Sequence, residues 1–280
     1  MIADLVRFLL ATTISLALAV FVFRREALSK SGTMAAVILG VSTYFFGGEA
    51  WFLIIAAFFV TSVFFTHFKA KKKAEVVKEF SKGGVRDFWQ VLANGGIAGL
   101  LALSFFYNRN PIFFYAFLGV IATVTADTWA TELGILQNTK PRLITTGQPV
   151  RVGTSGAISP GGTAIAAAGA LFIGIAAVVF LKLAGSPLVG SAWFSIGLRI
   201  SAIAMASGLL GALSDSFLGA TVQAMYYCTK CRKETETLTH TCGEKTVAIR
   251  GFRWFDNDLV NFASSMAGGA IAAGLYYLLV

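Results

Sequence analysis

Long runs of apolar residues alternate with short polar segments along this chain. The apolar runs begin near Leu5, Thr33, Ala50, Phe88, Pro111, Thr163, Ala192 and Leu259. A helix of about 20 apolar residues is needed to cross the roughly 30 Å hydrocarbon core of a bilayer, and most of the runs reach or approach that length. The pattern predicts an all-α integral membrane protein, a single domain over residues 1–280 built as a bundle of about eight transmembrane helices.

The run at residues 33–46 is shorter than the others and leaves one alternative open. If this run is re-entrant, the chain has seven spans, and Arg24, Arg25 and Lys30 lie on the side opposite the lysines of residues 69–82. The first run has neither a basic leading segment nor a small-residue cleavage site, so we interpret it as a retained span.

Composition and charge support the membrane assignment. Hydrophobic residues make up 56% of the chain and charged residues only 13%, which excludes an ordinary soluble domain. The net charge of +9 does not indicate a nucleic-acid partner, because the cations lie in short loops and no recognition motif is present. By the positive-inside rule, both termini are outside and three polar loops, at residues 67–87, 127–162 and 221–257, are cytoplasmic.

The first polar loop reads HFKAKKKAEVVKEFSKGGVRD. We expect a helix that continues out of the bilayer until the Gly-Gly pair breaks it. The KAKKK run is typical of a topology determinant that contacts anionic lipids. Lys82 and Arg86 flank the next helix start, and Asn94 lies inside the following apolar run. Because a buried amide needs hydrogen-bond partners, Asn94 indicates either a polar site or a packing contact between helices.

Asp127 and Glu132 lie five residues apart at the inner end of the fifth predicted span. Both can therefore reach one aqueous pocket at the membrane surface. Paired carboxylates suit a hard cation, and Mg²⁺ takes oxygen ligands while accepting substrate phosphates in its remaining positions. The alternative is a structural ion pair, for example with Lys140 or Arg142.

A glycine-rich loop, defined here as residues 153–162 with the sequence GTSGAISPGG, follows three cations and precedes the next apolar run. Backbone amides at glycines and at a helix N-terminus can bind phosphate. The alternative is a flexible turn, since no GxxxxGK[ST] string is present. The candidate phosphate-binding or nucleotide-binding residues of this region are Lys140, Arg142, Arg151, Gly153, Thr154, Ser155 and Gly156.

Two later segments repeat the pattern of an acid at the end of a helix. Asp215 in GALSDSFLGATVQ is followed by a hydroxyl and an aromatic residue, as Asp127 is, which indicates a parallel duplication. The last apolar run opens with WFDNDLVN, whose polar residues either cap a helix or complete a metal and phosphate site. These polar residues are Asp256, Asn257, Asp258 and Asn261.

All three cysteines lie in one loop, in the segment YYCTKCRKETETLTHTCG. Cys228, Cys231, His240 and Cys242 have a spacing that can furnish four tetrahedral zinc ligands. A cytoplasmic loop is reducing, so a disulfide explains the cysteines less well. We interpret the segment as a small knuckle around a structural Zn²⁺, with unliganded thiols as the alternative.

Four stretches carry a family resemblance: they read ADTWATELG, LITTGQPVRVGTSGAIS, SDSFLGATVQ and WFDNDLVN. From about Ser31 onward, the chain resembles an integral membrane family that includes plant phytyl-phosphate kinase and looks related to polyprenol and phytol kinases. The resemblance implies phosphoryl transfer from a nucleoside triphosphate to an isoprenoid monophosphate, with CTP as the expected donor. The residues that match family motifs are Asp127, Glu132, Asp215, Asp256, Asn257, Asp258, Arg86 and Asn94.

Together these observations predict a catalytic site at the cytoplasmic membrane face. Asp127 and Asp215 are the expected Mg²⁺ ligands, and Glu132, Asp256 and Asp258 complete the acidic set. The substrate's lipid tail would stay in the bilayer while Arg86, Asn94, Asn257, Asn261 and the loop residues named above bind phosphate. Two alternatives remain: a cytidylyltransferase acting on a lipid phosphate, and a transporter of isoprenoids or lipids.

Overall fold

The computed structural model describes residues 2–77, 85–137, 139–190 and 192–280. Within these ranges the chain is mainly helical, as the apolar pattern predicts, and each long helix begins within a few residues of a predicted run. The helices are α1 (Ile2–Arg24), α2 (Lys30–Ser42), α3 (Glu49–His67), α4 (Ala70–Val77), α5 (Phe88–Asn108), α6 (Ile112–Gly134), α7 (Pro160–Leu183), α8 (Trp193–Thr221) and α9 (Asn257–Leu279).

Seven of the described helices are long and apolar enough to cross a bilayer, namely α1, α3 and α5 to α9. The shorter α2 is extended by a π-helical turn, Thr43–Gly47. At one end of α2, the amide of Ser29 donates to the carbonyl of Arg86 over 3.0 Å. At the other end, the Arg7 guanidinium donates to the carbonyl of Tyr44 over 3.3 Å. The segment thus runs back along α1, and among the described residues the helices of spanning length number seven where the apolar pattern predicts about eight.

Helix α6 forms the centre of the bundle and packs against α3, α5, α7, α8 and α9. Its buried face carries large side chains that are fully inaccessible: Phe114, Phe117, Leu118 and Ile121. Because an apolar side chain gains little by moving from lipid to a helix interface, such packing relies on close van der Waals contact. The packing of α6 in the bundle therefore depends on how closely the neighbouring helices approach it.

Small residues allow that approach between α6, α8 and α9. A Cβ added at Gly119 of α6 would overlap the carbonyl oxygen of Gly268 and would lie 2.5 Å from the Cβ of Ala272. A Cβ added at Gly211 of α8, or at Gly268 itself, would overlap the side chain of Thr123. The three helix backbones therefore meet around Thr123, one helical turn before Asp127.

Short strands form in two of the polar loops, an addition to the all-α prediction. In the described residues, β1 (Arg142–Leu143) pairs with β2 (Ala157–Ile158) in an antiparallel ladder. A three-stranded antiparallel sheet has the order β4-β3-β5, with β3 at Met225–Cys228, β4 at Lys233–Thr235 and β5 at Val247–Arg250. Tyr226 is the central partner, opposite Thr235 on one side and Ala248 on the other.

The basic loop departs from the sequence prediction in one respect. Helix α3 ends at His67, and Lys69 adopts a left-handed conformation with φ of 52° before α4 begins. A left-handed residue stops an α-helix, so α4 is a separate helix and not a continuation of α3. Lys82 and the Gly-Gly pair at residues 83–84 lie outside the described residues.

The packing around Thr123 leads to a stability prediction. Gly119→Ala should lower the free energy of unfolding by about 1–3 kcal/mol, because the added methyl group overlaps α9. Gly274→Ala is the matched control, since a Cβ there meets nothing within 4 Å, and its better helix propensity should leave stability equal or slightly higher. Thermal melting in detergent measures both; equal melting temperatures would contradict the close contact.

Candidate functional site: a polar pocket at one end of the bundle

A pocket of about 160 Å³ lies at the end of the bundle where α5 and α9 begin and α6 ends. We call it the polar pocket, because all of its lining side chains are polar. They comprise one guanidinium, two carboxylates, four amides and two hydroxyls, from Arg86, Gln90, Asn94, Asp127, Thr128, Thr131, Glu132, Asn257 and Asn261. Six of these nine residues are sequence-predicted site residues: Arg86, Asn94, Asp127, Glu132, Asn257 and Asn261.

Helical periodicity explains how the pocket is assembled. Residues four apart lie on the same face of a helix. Helix α5 presents Gln90 and Asn94 in this way, and α9 presents Asn257 and Asn261. Helix α6 supplies two such pairs, at positions 127 and 131 and at positions 128 and 132. The polar ends of α5, α6 and α9 thus line one pocket.

Arg86 is fixed next to this space by its own backbone and side chain. Its amide donates to the carbonyl of Ala27 over 3.0 Å, and its guanidinium donates to the Ser62 hydroxyl over 2.8 Å. Burial lowers the pKa of Arg86, while the negative charge of Glu132 acts in the opposite direction. An arginine keeps its charge under such conditions, so the pocket contains a permanent, directional cation.

Glu132 accepts hydrogen bonds at both carboxylate oxygens. The Thr66 hydroxyl donates to Oε1 over 2.8 Å, and the Lys73 ammonium donates to Oε2 over 2.5 Å. Lys73 also donates to the carbonyl of Phe65 and is only 5% exposed. This contact corrects the interpretation of the basic run, because one of its lysines is a buried ion-pair partner and not a surface determinant. The partner of Glu132 is Lys73, not Lys140 or Arg142.

Asp127 and Asp215 approach each other from α6 and α8. Each lies one turn beyond the contact of Thr123 with Gly211, and the two carboxylates are close enough to interact electrostatically. The Ser264 hydroxyl of α9 donates to Asp215 Oδ2 over 2.9 Å. Of the two acids, only Asp127 lines the polar pocket; Asp215 of α8 contacts α9 through Ser264.

The glycine-rich loop is occupied by contacts within the protein. The Ser155 hydroxyl donates to Gln223 Oε1 over 2.5 Å, and the Gly156 carbonyl accepts from the amide of Ile144 over 3.0 Å. A Cβ at Gly156 would lie 2.5 Å from Ala220. Ser155 and Gly156 thus dock the loop on the end of α8, and Gly153 and Thr154 do not line the polar pocket, so the phosphate cradle stays a prediction.

The three loop cations are also outside the polar pocket. Lys140, Arg142 and Arg151 are exposed, and Arg142 donates to the carbonyl of Gly147 over 2.8 Å within its own turn. Sequence proximity to Asp127 suggested that they bind the same phosphate. The structure places them on the surface of the loop, and their role in binding phosphate stays a prediction.

The polar residues at the start of α9 have two different roles. Asp256 is the N-cap, and its Oδ1 accepts from the amides of Asp258 and Leu259 over 3.1 Å in each case. Capping is one of the two roles that the sequence left open for Asp256, and the assignment of Asp256 to the catalytic set stays a prediction. Asp258 does not line the polar pocket, whereas the amides of Asn257 and Asn261 do.

The Cys/His cluster consists of Cys228, Cys231, His240 and Cys242, whose ligand atoms all lie within 4.8 Å of one another. The Sγ atoms of Cys228 and Cys242 are 3.7 Å apart, and His240 Nδ1 lies 3.2 Å from Cys242 Sγ. Around a tetrahedral ion with bonds of about 2.3 Å, two sulfur ligands are separated by about 3.8 Å. Side chains so arranged could bind a metal, as the spacing predicts.

Two thiols of this cluster have different pKa values. The backbone amide of Glu244 and the ring of His240 lower the pKa of Cys242 to about 6. The hydrogen bond with Cys242 raises the pKa of Cys231 to about 11. The thiolate is the form of cysteine that ligates metals, and a lowered pKa favours that form at Cys242.

Sequence reasoning missed several residues of the site. Gln90, Thr128 and Thr131 line the polar pocket, and their signal was their spacing of four residues from Asn94, Glu132 and Asp127. Lys73 was hidden among neighbouring lysines that remain exposed. No local signal distinguishes it, because only the turn between α3 and α4 directs it to α6.

Fold and site define a multi-pass helical membrane protein with a polar pocket at one end of its bundle. The chain belongs to the family described as Integral membrane protein DUF92, whose sequence profile matches residues 13–269. This confirms the family-level resemblance seen in the motifs.

Three curated relatives span most of the chain. Protein PGR of Arabidopsis thaliana is 31% identical over 92% of this chain and 92% of its own length. Uncharacterized membrane protein MJ0933 of Methanocaldococcus jannaschii is 33% identical over 77% of this chain and 83% of its own. Protein VTE6, chloroplastic, of Arabidopsis thaliana is 29% identical over 88% of this chain and 64% of its own. No solved structure matches the chain.

Proposed function

We propose that this protein is a membrane phosphotransferase. Its phosphoryl donor is a nucleoside triphosphate, and CTP is the expected one. The reaction converts an isoprenoid monophosphate of the phytyl or prenyl type to the diphosphate. The observation that carries the proposal is the polar pocket, which brings Arg86, Asp127 and four amides together at one end of an apolar bundle. The motif resemblance to the family that includes plant phytyl-phosphate kinase supports the reaction class.

The pocket suits phosphoryl transfer because that reaction requires positioning and charge neutralisation more than covalent chemistry. The Arg86 fork can bind phosphate oxygens in a bidentate manner. Asn94, Asn257 and Asn261 supply amide donors that hold a phosphate in one orientation. Since the pocket lies at the end of the helices, a lipid phosphate can enter it while its apolar tail remains between helices in the bilayer.

The donor set also fits Mg²⁺. Carboxylate, amide and hydroxyl oxygens are the ligands that this hard cation prefers, and Asp127 with Asp215 would hold it. A bound Mg²⁺ supplies neutralisation of the charge that develops on the transferring phosphoryl group. Arg86 and the amides orient the phosphate independently of the ion.

The position of the pocket favours this proposal over transport, because transporter sites lie near the middle of the bilayer. A cytidylyltransferase would use the same residues, so the reaction products are what distinguishes the two activities. Purified protein incubated with labelled CTP and phytyl monophosphate should release CDP and form the diphosphate. Release of pyrophosphate would instead identify a cytidylyltransferase, and the absence of both products would refute a reaction on this substrate.

The same assay tests the two acids. Asp127→Asn and Asp215→Asn should each lower kcat and kcat/KM together by roughly a thousandfold, since a metal ligand is worth several kcal/mol in the transition state. Asp256→Asn is the matched control, because the Asp256 carboxylate caps its own helix and asparagine caps a helix as well as aspartate does. Folded Asp127→Asn and Asp215→Asn variants with normal turnover at limiting Mg²⁺ would show that these acids are structural.

A second part of the proposal is that the Cys/His cluster binds a structural Zn²⁺. Four ligands fill a tetrahedral shell, so no position remains for substrate. We expect about one zinc per chain, and Cys228→Ser should lose the metal and melt at a lower temperature. Lys230→Gln, an exposed change in the same turn, should lose neither. Zinc-free wild-type protein, by elemental analysis of a chelator-free preparation, would contradict this assignment.

We also propose that the polar pocket faces the cytoplasm, because the basic loops lie at the same end of the bundle. A cysteine introduced at Lys72 or Gln148 should react with a membrane-impermeant maleimide in inverted vesicles, adding one label to the parent chain. A cysteine at Asn108, on an exposed position at the opposite end, should react in intact cells instead. The reverse pattern would invert the topology.

A further inference from the structure

The segment at residues 247–254, which forms β5 and the turn that follows it, exposes large apolar side chains outside the membrane-spanning helices. Four of these side chains are between 49% and 68% exposed, and they belong to Val247, Ile249, Phe252 and Trp254. We call these four residues the apolar patch. Exposed apolar patches mark sites where a protein contacts a membrane or another protein.

Hydrogen bonding and chain connectivity place the patch at the ends of two long apolar helices. The amide of Phe252 donates to the carbonyl of Val222, just past the end of α8, over 3.0 Å. Helix α9 begins at Asn257, shortly after Trp254. Both α8 and α9 have the length and composition of transmembrane helices. The patch therefore lies at the boundary of the bilayer.

The patch continues an exposed stripe of α9. Leu259, Phe262 and Met266 are exposed, and their spacing of three to four residues puts them on one face of the helix. In a transmembrane helix, such a face contacts the acyl chains of lipids. Trp254 directly precedes this helix, so apolar exposure extends from the lipid-facing side of α9 into the segment before it.

The chemistry of the patch suits the layer between lipid headgroups and acyl chains. The rings of Phe252 and Trp254 stack, with centroids 5.9 Å apart and an angle of 20° between their planes. Tryptophan is enriched in this layer because its ring is apolar and its N–H is polar. Two exposed cations accompany the patch, Lys245 before β5 and Arg253 between the two aromatic residues. Long cationic side chains can reach anionic headgroups while their stems cover apolar surface.

We propose that the apolar patch is inserted into the interfacial layer of the bilayer, on the side where α8 ends and α9 begins. Its partner is the lipid of the membrane, with anionic headgroups beside Lys245 and Arg253. The small sheet and its Cys/His cluster thereby rest on the membrane surface, next to the helix that supplies Asn257 to the polar pocket. The inference does not depend on the reaction that the pocket catalyses.

The sheet offers a matched pair of positions for a test. Val247 and Glu234 are both exposed, and they pair with Tyr227 from its two sides. They therefore lie on one face of the sheet, at opposite edges and about 10 Å apart. Val247→Trp and Glu234→Trp are each made in a Trp254→Phe background and reconstituted into vesicles of phosphatidylcholine and phosphatidylglycerol. The fluorescence of each added tryptophan is the difference from that background.

Lipids brominated in the acyl chain should quench the tryptophan of Val247→Trp at least about twofold, because interfacial side chains lie roughly 5–10 Å into the headgroup and acyl boundary. Bromine near the headgroup end of the chain should quench more than bromine near its terminal methyl group. The tryptophan of Glu234→Trp should instead be quenched by acrylamide in the water and not by brominated lipid. The native Trp254, measured as wild type minus Trp254→Phe, should behave as Val247→Trp does.

Two results would overturn the inference. Equal acrylamide quenching of Val247→Trp and Glu234→Trp would place the patch in water. Protection of Val247→Trp from both quenchers would show that a protein surface covers it, and chemical cross-linking would then identify a second copy of the chain. Thermal melting shows whether the variants fold. If Val247→Trp does not fold, the quenching of native Trp254 decides alone, since Trp254→Phe conserves an aromatic side chain at an exposed position.

Discussion

The close contact of α6 with α8 and α9 around Thr123 is the constraint on which the site depends. Membrane helices gain no hydrophobic energy by leaving lipid for one another, so backbone approach through small residues must hold them together. Gly211 and Gly268 provide this approach from the two neighbouring helices. One turn further on, the same geometry brings the carboxylates of Asp127 and Asp215 near each other. The position of the two acids therefore follows from the packing around Thr123.

A second feature is the balance of charge at the end of the bundle. Carboxylates in an apolar environment are costly unless they are paired or bind a cation. Glu132 is neutralised within the protein by Lys73, with Arg86 nearby. Asp215 receives a hydroxyl from Ser264, which satisfies one oxygen without cancelling its charge. The two kinds of acid thus differ: Glu132 pairs with a cation of the protein, whereas Asp215 accepts a hydrogen bond from a neutral hydroxyl.

The outer loops are joined to one another and to α8 by hydrogen bonds. Gln223, at the end of α8, accepts from Ser155 of the glycine-rich loop and donates to Glu236 beside β4 over 3.0 Å. Arg250 of β5 donates to the carbonyl of Gly219 over 2.9 Å. The small sheet and its Cys/His cluster are therefore tied to the helix that carries Asp215. A metal in that cluster would stabilise the loop and, through these bonds, the end of α8.

The sequence by itself determined the helices and much of the pocket. Apolar runs of membrane-spanning length can form only helices in a bilayer, and polar residues inside them, such as Asn94 and Asp127, can only face one another or water. The sequence did not determine which residues of a polar stretch do chemistry. Asp256 caps α9 while its neighbour Asn257 lines the pocket, since one helical residue is rotated by about 100° from the next. Nor did it distinguish Lys73 from adjacent lysines. That choice belongs to the tertiary structure, because a turn between two helices decides which side chain reaches a partner distant in sequence.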